Sequence, residues 1–160
     1  MLNLEIDRAK LKEEGYKARH VSNSIKASLF AMAGEWHSRM LMRHFDEDAS
    51  RRYHYTLRKG EGMDPNSKAF KRSYWGRKVA KGRGRPLVFS GEGMMLAAIP
   101  KIRGTWKQAR VVLPSKFNFR HPKSRVNMRE EITKILPDEK AILLAIGARG
   151  FRYAIEKPPT

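Results

Sequence analysis

Cysteine is missing from all 160 residues. That absence removes disulfides, thiolate zinc sites, iron-sulfur clusters and cysteine nucleophiles together, and leaves the fold to rest on packing. Acids are scarce: 16 Asp and Glu face 34 Lys and Arg, a formal net charge of +18. A chain so charged repels itself unless salt, counterions or a polyanionic neighbour offsets the repulsion. Nucleic acid is the leading candidate for that neighbour, since a basic excess is its electrostatic footprint. Charge alone does not separate it from an anionic membrane or an acidic protein. Long apolar runs are also missing: nowhere do about 18 consecutive apolar residues occur, and Met1 to Lys17 carries charges throughout with no apolar signal region. The expectation is a single domain, long enough to bury a core, made and kept in the cytoplasm or built into a particle there.

What is present divides by periodicity. Leu2, Leu4 and Ile6 alternate with polar residues as in a short strand. After Gly15, the positions Ile25, Leu29, Met32, Ala33, Trp36 and Met40 follow one helix face, with Phe30, Leu41 and Phe45 widening it. This helix is expected to end near Asp46 to Ser50 and to start as early as Lys10. Ser67 is placed to cap a short helix through Phe70. Gly82 to Pro86 breaks any helix, Pro86 to Phe89 reads as a buried strand start, and Ser90-Gly91-Glu92-Gly93 reads as a turn. Met95 to Ile102 and Ala109 to Leu113 are apolar runs flanking Gly104, which predicts an antiparallel hairpin, with Pro100 at an edge or bulge. Residues 114 to 127 read as an exposed arm and Glu131 to Leu136 as a further strand. Asp138 is read as the cap of a last helix through Ala141, Leu144, Ala145, Ala148, Phe151 and Ile155. The order predicts an α+β domain, a small antiparallel sheet packed against a long N-terminal helix and a C-terminal helix, with extended basic loops.

No residue set matches a catalytic or metal motif. His20, His37, His44, His54 and His121 lack ligand spacing. Asp46, Glu47 and Asp48 are adjacent in sequence, and consecutive helical residues do not point at one ion; they read as a solvated helix end, as do Glu130 and Glu131. No cofactor is implied.

The basic residues are concentrated. Residues 51 to 85 hold twelve Lys or Arg against two acids, Glu61 and Asp64, and no acid occurs from Gly93 to Arg129. Candidates for facing a polyanion are Arg51, Arg52, Arg58, Lys59, Lys71, Arg72, Arg77, Lys78, Arg83 and Arg85, because cationic heads neutralise phosphates with release of counterions. Interleaved with them are Tyr53, Tyr55, Phe70, Tyr74 and Trp75. Exposed rings of this kind stack on unpaired bases; buried ones serve as core or as subunit-interface anchors, and a subunit interface is the expected role.

Three motifs occur in order: Gly34-Glu35-Trp36-His37 through His44-Phe45, then Arg52-Tyr53-His54-Tyr55 with Arg58-Lys59-Gly60, then Arg85-Pro86-Leu87-Val88-Phe89-Ser90-Gly91. Their order over residues 25 to 113 resembles the bacteriophage neck and tail-completion proteins of the virion morphogenesis type. In that family a basic linker leads to a proline, an apolar triplet, a Ser/Thr-Gly turn and a strand. Glu92 departs from the basic residue that many members carry after the turn. The resemblance implies a homo-oligomeric ring of non-enzymatic α+β subunits at the virion's neck or tail junction, assembled in the host cytoplasm. Its neighbours would be the portal-side adaptor and the tail-side terminator, with genomic DNA passing through the channel without sequence readout and with no membrane partner. Stretches 56 to 68 and 114 to 127 are then candidate arms that order on assembly. Two alternatives are a free-standing basic nucleic-acid-binding protein and a metal-dependent nuclease using Asp46, Glu47, Asp48 or a histidine.

Overall fold

A computed structural model describes residues 6–87, 91–120 and 126–157. The chain is α+β as expected: about 59% helical, with a two-stranded antiparallel sheet and long helices towards both ends. The strand expected over Leu2 to Ile6 falls largely outside the described residues. Spatial proximity divides the chain into two compact units, one of Met1–Ser38, Pro100–Val112 and Ile135–Thr160, the other of Arg39–Ile99 and Leu113–Lys134.

In the first unit a short helix α1 (Arg8–Glu13), capped by the Asp7 carboxylate, precedes α2 (Ala18–Glu35). Gly15, at φ +83°, makes the break between them. The stripe of α2 that is buried runs Val21, Ser24, Ile25, Ser28 and Met32, at the 3.6-residue period of one helix face. It packs on α8 (Pro137–Glu156), which buries Leu143, Gly147 and Ile155. Each such apolar side chain contributes roughly 1.5–3 kcal/mol when taken out of water. The two helices approach closely because their facing residues are small. The Ser28 hydroxyl donates to the Gly147 carbonyl at 2.6 Å, and a Cβ on Gly147 would meet the Met32 sulfur at 2.5 Å. The N-cap of α8 is Leu136, whose N–H donates to Glu139 Oε2 at 3.1 Å; Pro137 opens the helix, and Asp138 lies inside its first turn rather than at the cap.

The sheet of this unit is a hairpin of β1 (Ile102–Gly104) and β2 (Ala109–Val111), with Arg103 opposite Arg110. Its inner face lies on α2, with Gly104 beside the Phe30 ring. The hairpin is shorter than the sequence reading. Met95 to Ala98 belongs to a helix, and Pro100 precedes the paired residues instead of bulging them.

The chain leaves α2 through a π-helical turn, Trp36–Met40, and a 3-10 turn, Leu41–Phe45. The second unit then builds α3 (Ala49–Arg52), α4 (Lys68–Arg72), α5 (Tyr74–Ala80), α6 (Glu92–Ala98) and α7 (Met128–Ile132). Its core holds Leu41, Phe45, Tyr53, Phe117 and Ile132, none more than 2% exposed. Four expectations change here. Pro86 and Leu87 form a turn, with Leu87 at φ 54°, in place of a strand start; Val88 to Ser90 lie outside the described residues. Glu92 and Gly93, expected in a turn, open α6 behind Gly91 at φ +81°, where the family resemblance implied a strand. The exposed arm of 114 to 127 contains a 3-10 turn, Ser115–Asn118, whose Phe117 is buried against Phe45. Residues 131 to 136 are not a strand, because α7 occupies their first part.

Candidate nucleic-acid interface

The basic segment is organised by two serines and two glycines. Ser67 caps α4, accepting from the Phe70 N–H at 3.1 Å, and Ser73 caps α5, accepting from the Gly76 N–H at 2.9 Å. Ser73 also donates to the Phe70 carbonyl at 2.6 Å, which ties the end of α4 to the start of α5. No side chain fits at the joint. A Cβ on Gly60, whose φ is +95°, would lie 1.9 Å from Ser73 Oγ, and one on Gly76 would lie 2.0 Å from the Phe70 carbonyl oxygen. This corner presents Lys71 and Arg72 from α4 and Arg77 from α5 to solvent, with Lys59 exposed on the preceding turn.

Two of the expected polyanion-facing residues are turned inward instead. Lys78 is 4% exposed; its Nζ donates to the Arg85 carbonyl and sits 4.8 Å above the Trp75 ring. Burial pulls its pKa down to about 8, and the positive charge of Arg58 adds to the effect. Arg58 forms a two-pronged pair with Glu131, Nη1 to Oε1 at 2.8 Å and Nη2 to Oε2. Burial acts to lower the Arg58 pKa, but the hydrogen bond and charge of Glu131 outweigh it and raise it above its ordinary value. The Thr56 N–H donates to Glu131 Oε1 at 3.2 Å, and the Arg58 N–H to Glu61 Oε2 at 2.8 Å, so the 56 to 61 loop is pinned at both levels. Glu131 is therefore a buried structural anion, not the solvated helix end expected. Nothing in its local sequence marks it, since its partner lies 73 residues away.

The remaining candidates spread out. Arg51 and Arg85 are exposed, the latter 3.7 Å from a solvated Glu47 carboxylate, and Arg52 and Arg83 are half-buried. Of the aromatics, Tyr53, Tyr55 and Phe70 lie in the core of their unit, at 1%, 5% and 8% exposure, so they have no surface to offer another subunit. Tyr74 is exposed and Trp75 half-buried.

Tyr53 and Tyr55 belong to a buried stack with His44. The His44 and Tyr53 ring centroids are 3.9 Å apart and nearly parallel, and His44 Nδ1 bonds the Tyr55 hydroxyl. Burial lowers the His44 pKa to about 4. Beside the stack, Lys134 Nζ donates to the Tyr53 and His54 carbonyls at 3.0 and 2.7 Å, holding His54 at φ 49°.

Asp46, Glu47 and Asp48 are all exposed, and among the described residues no group of three His, Asp or Glu is placed to hold a metal ion. Among the same residues no helix is long and apolar enough to cross a membrane. Comparison with protein-family models, curated proteins and solved structures finds no match for the chain.

Proposed function

We propose that the chain is a structural subunit of a phage head-to-tail connector. It would form a neck or tail-completion ring that joins the portal-side adaptor to the tail around the DNA channel and performs no reaction. The observation that carries the reading is the order of the three motifs between Gly34 and Gly91. The exposed cations Lys59, Lys71, Arg72 and Arg77 support it, because a channel lining needs cationic heads that meet phosphates without reading bases. A ring also needs two unlike contact faces, and closed head-to-tail contacts supply them. Labelling this protein in virions and imaging by negative-stain microscopy is expected to place the label at the head-tail junction. Label confined to the capsid shell or the tail tip would overturn the assignment.

A second reading, a free-standing nucleic-acid-binding protein, is favoured by the net charge of +18. Such a protein would hold DNA tightly as an isolated monomer with a steep salt dependence, whereas a ring subunit would bind weakly until assembled.

A further inference from the structure

The hairpin in the first unit carries a charge arrangement that its own stability does not require. Arg103 and Arg110 are directly opposite each other in the β1–β2 register, and both are exposed. They form a hydrogen-bonded antiparallel pair, in which the Cα atoms lie about 5.5 Å apart. Like charges in that position are destabilising. Lys101, one step further along the same outer face, is exposed as well. Among the described residues none of Lys101, Arg103 and Arg110 has a carboxylate partner. Gln108 accepts from Arg110 Nε and Nη2 at 3.2 and 2.9 Å, which fixes the guanidinium on the outer face without neutralising it. Charged side chains protect exposed strand edges, but that protection does not call for like charges placed directly opposite each other. Two arginines face to face plus a lysine exceed that need.

We propose that this outer face binds the phosphodiester backbone of nucleic acid, with Arg103 and Arg110 as the phosphate contacts and Lys101 beside them. The inference rests on the nucleic-acid part of the reading above, not on the connector, and it names residues outside the 51 to 85 segment. A two-stranded ribbon is an element that a DNA groove admits. Guanidinium groups suit the role because they fork onto phosphate oxygens and remain charged at any working pH. The bound anion would relieve the repulsion that the free hairpin carries.

The test uses the full chain and fluorescence anisotropy with labelled duplex and single-stranded DNA of about 30 nucleotides, titrated from about 50 mM salt upward, since the slope of log affinity against log salt counts phosphate contacts. The double variant Arg103→Thr with Arg110→Thr keeps residues that strands accept. Its affinity is expected to fall about 10-fold or more, and its salt slope to shrink by about 1.8, two contacts at about 0.9 each. Loss on the duplex alone identifies groove or paired-backbone binding, loss on both identifies backbone contact in general, and either supports the proposal. The double Lys variant is expected to stay within about 3-fold of wild type, because point charges still meet phosphates. The Thr variant, freed of DNA, is expected to melt about 1–3 °C higher as the like-charge pair is removed. Wild-type affinity and slope in the Thr variant, or no binding by wild type at the lowest salt, would overturn the proposal, as would a lower melting point for the free variant. Unchanged affinity and slope in the Thr variant remove this face while leaving nucleic-acid binding standing, absence of wild-type binding removes both, and neither outcome bears on where labelled protein sits in a virion.

Discussion

Two single side chains in the second unit control how it responds to acid and to substitution. His44 is fully buried with a pKa lowered to about 4, against an ordinary value of 6.5. The native state therefore holds this imidazole neutral while the unfolded state protonates it, so the stability is fully present above about pH 6.5 and is lost as pH falls towards 4. Urea unfolding across that window is expected to show wild type losing up to about 1.4 kcal/mol per pH unit relative to His44→Phe. Equal slopes for the two proteins would mean that the histidine is not the acid-sensitive group. Glu131 behaves differently, because it is buried in a two-pronged pair with a guanidinium that is itself largely shielded from water. The Glu131→Gln variant strands the Arg58 guanidinium, whose side chain is 12% exposed, and is expected to lose about 3 kcal/mol in urea unfolding. Adding Arg58→Met to it should recover part of that loss, since a buried pair replaced by apolar groups is often neutral.

At the scale of elements, the glycines separate tight joints from open helix surface. Gly76→Ala drives a Cβ into the backbone carbonyl of Phe70, an atom that cannot swing aside, so α4 and α5 must part; the expected cost is about 3 kcal/mol. Gly34→Ala, in α2 with nothing within 4 Å of the new Cβ, is expected to gain up to about 1 kcal/mol from helix propensity. Denaturant titration of the two variants measures both, and a stable Gly76→Ala protein would refute the packing described for that corner. The same scale shows what the sequence made legible. The helices α2 and α8 are long enough for a 3.6-residue period to declare a helix, and the Ser67 cap follows from local chemistry alone, but the face read for α8 is not the buried one: Ala141, Ala145 and Ala148 are exposed while Leu143 and Gly147 are buried. Met95 to Ile99 and Glu131 to Leu136 are short runs, in which a buried strand and a helix turn look alike. In the first of these Gly91 supplies the helix start, and its left-handed φ is invisible in a list of residue types. Phe117 hides between prolines in a polar stretch, and its burial depends on Phe45, far away in the chain. The candidate site was legible as charge and not as geometry. The excess of Lys and Arg over 51 to 85 is plain, but nothing local says that Arg58 and Lys78 point inward while Lys71, Arg72 and Arg77 point out.

For the whole molecule, the charge of +18 now has an address. Part of it is consumed inside the second unit, by the Arg58–Glu131 pair and the buried Lys78 ammonium, and the exposed remainder includes the α4–α5 corner and the outer face of the hairpin. The labelling experiment belongs to this scale, since a connector is defined by its place in a particle and not by any one contact. The interleaving of the two units has a consequence in time. A ribosome releases α2 roughly 100 residues before α8, the helix that covers its apolar stripe, which at usual synthesis rates is a delay of about 5–20 s. The second unit waits in the same way for Phe117 and Glu131. Neither unit can finish before nearly the whole chain has emerged, so a nascent or truncated copy exposes unburied apolar helix faces to chaperones and proteases.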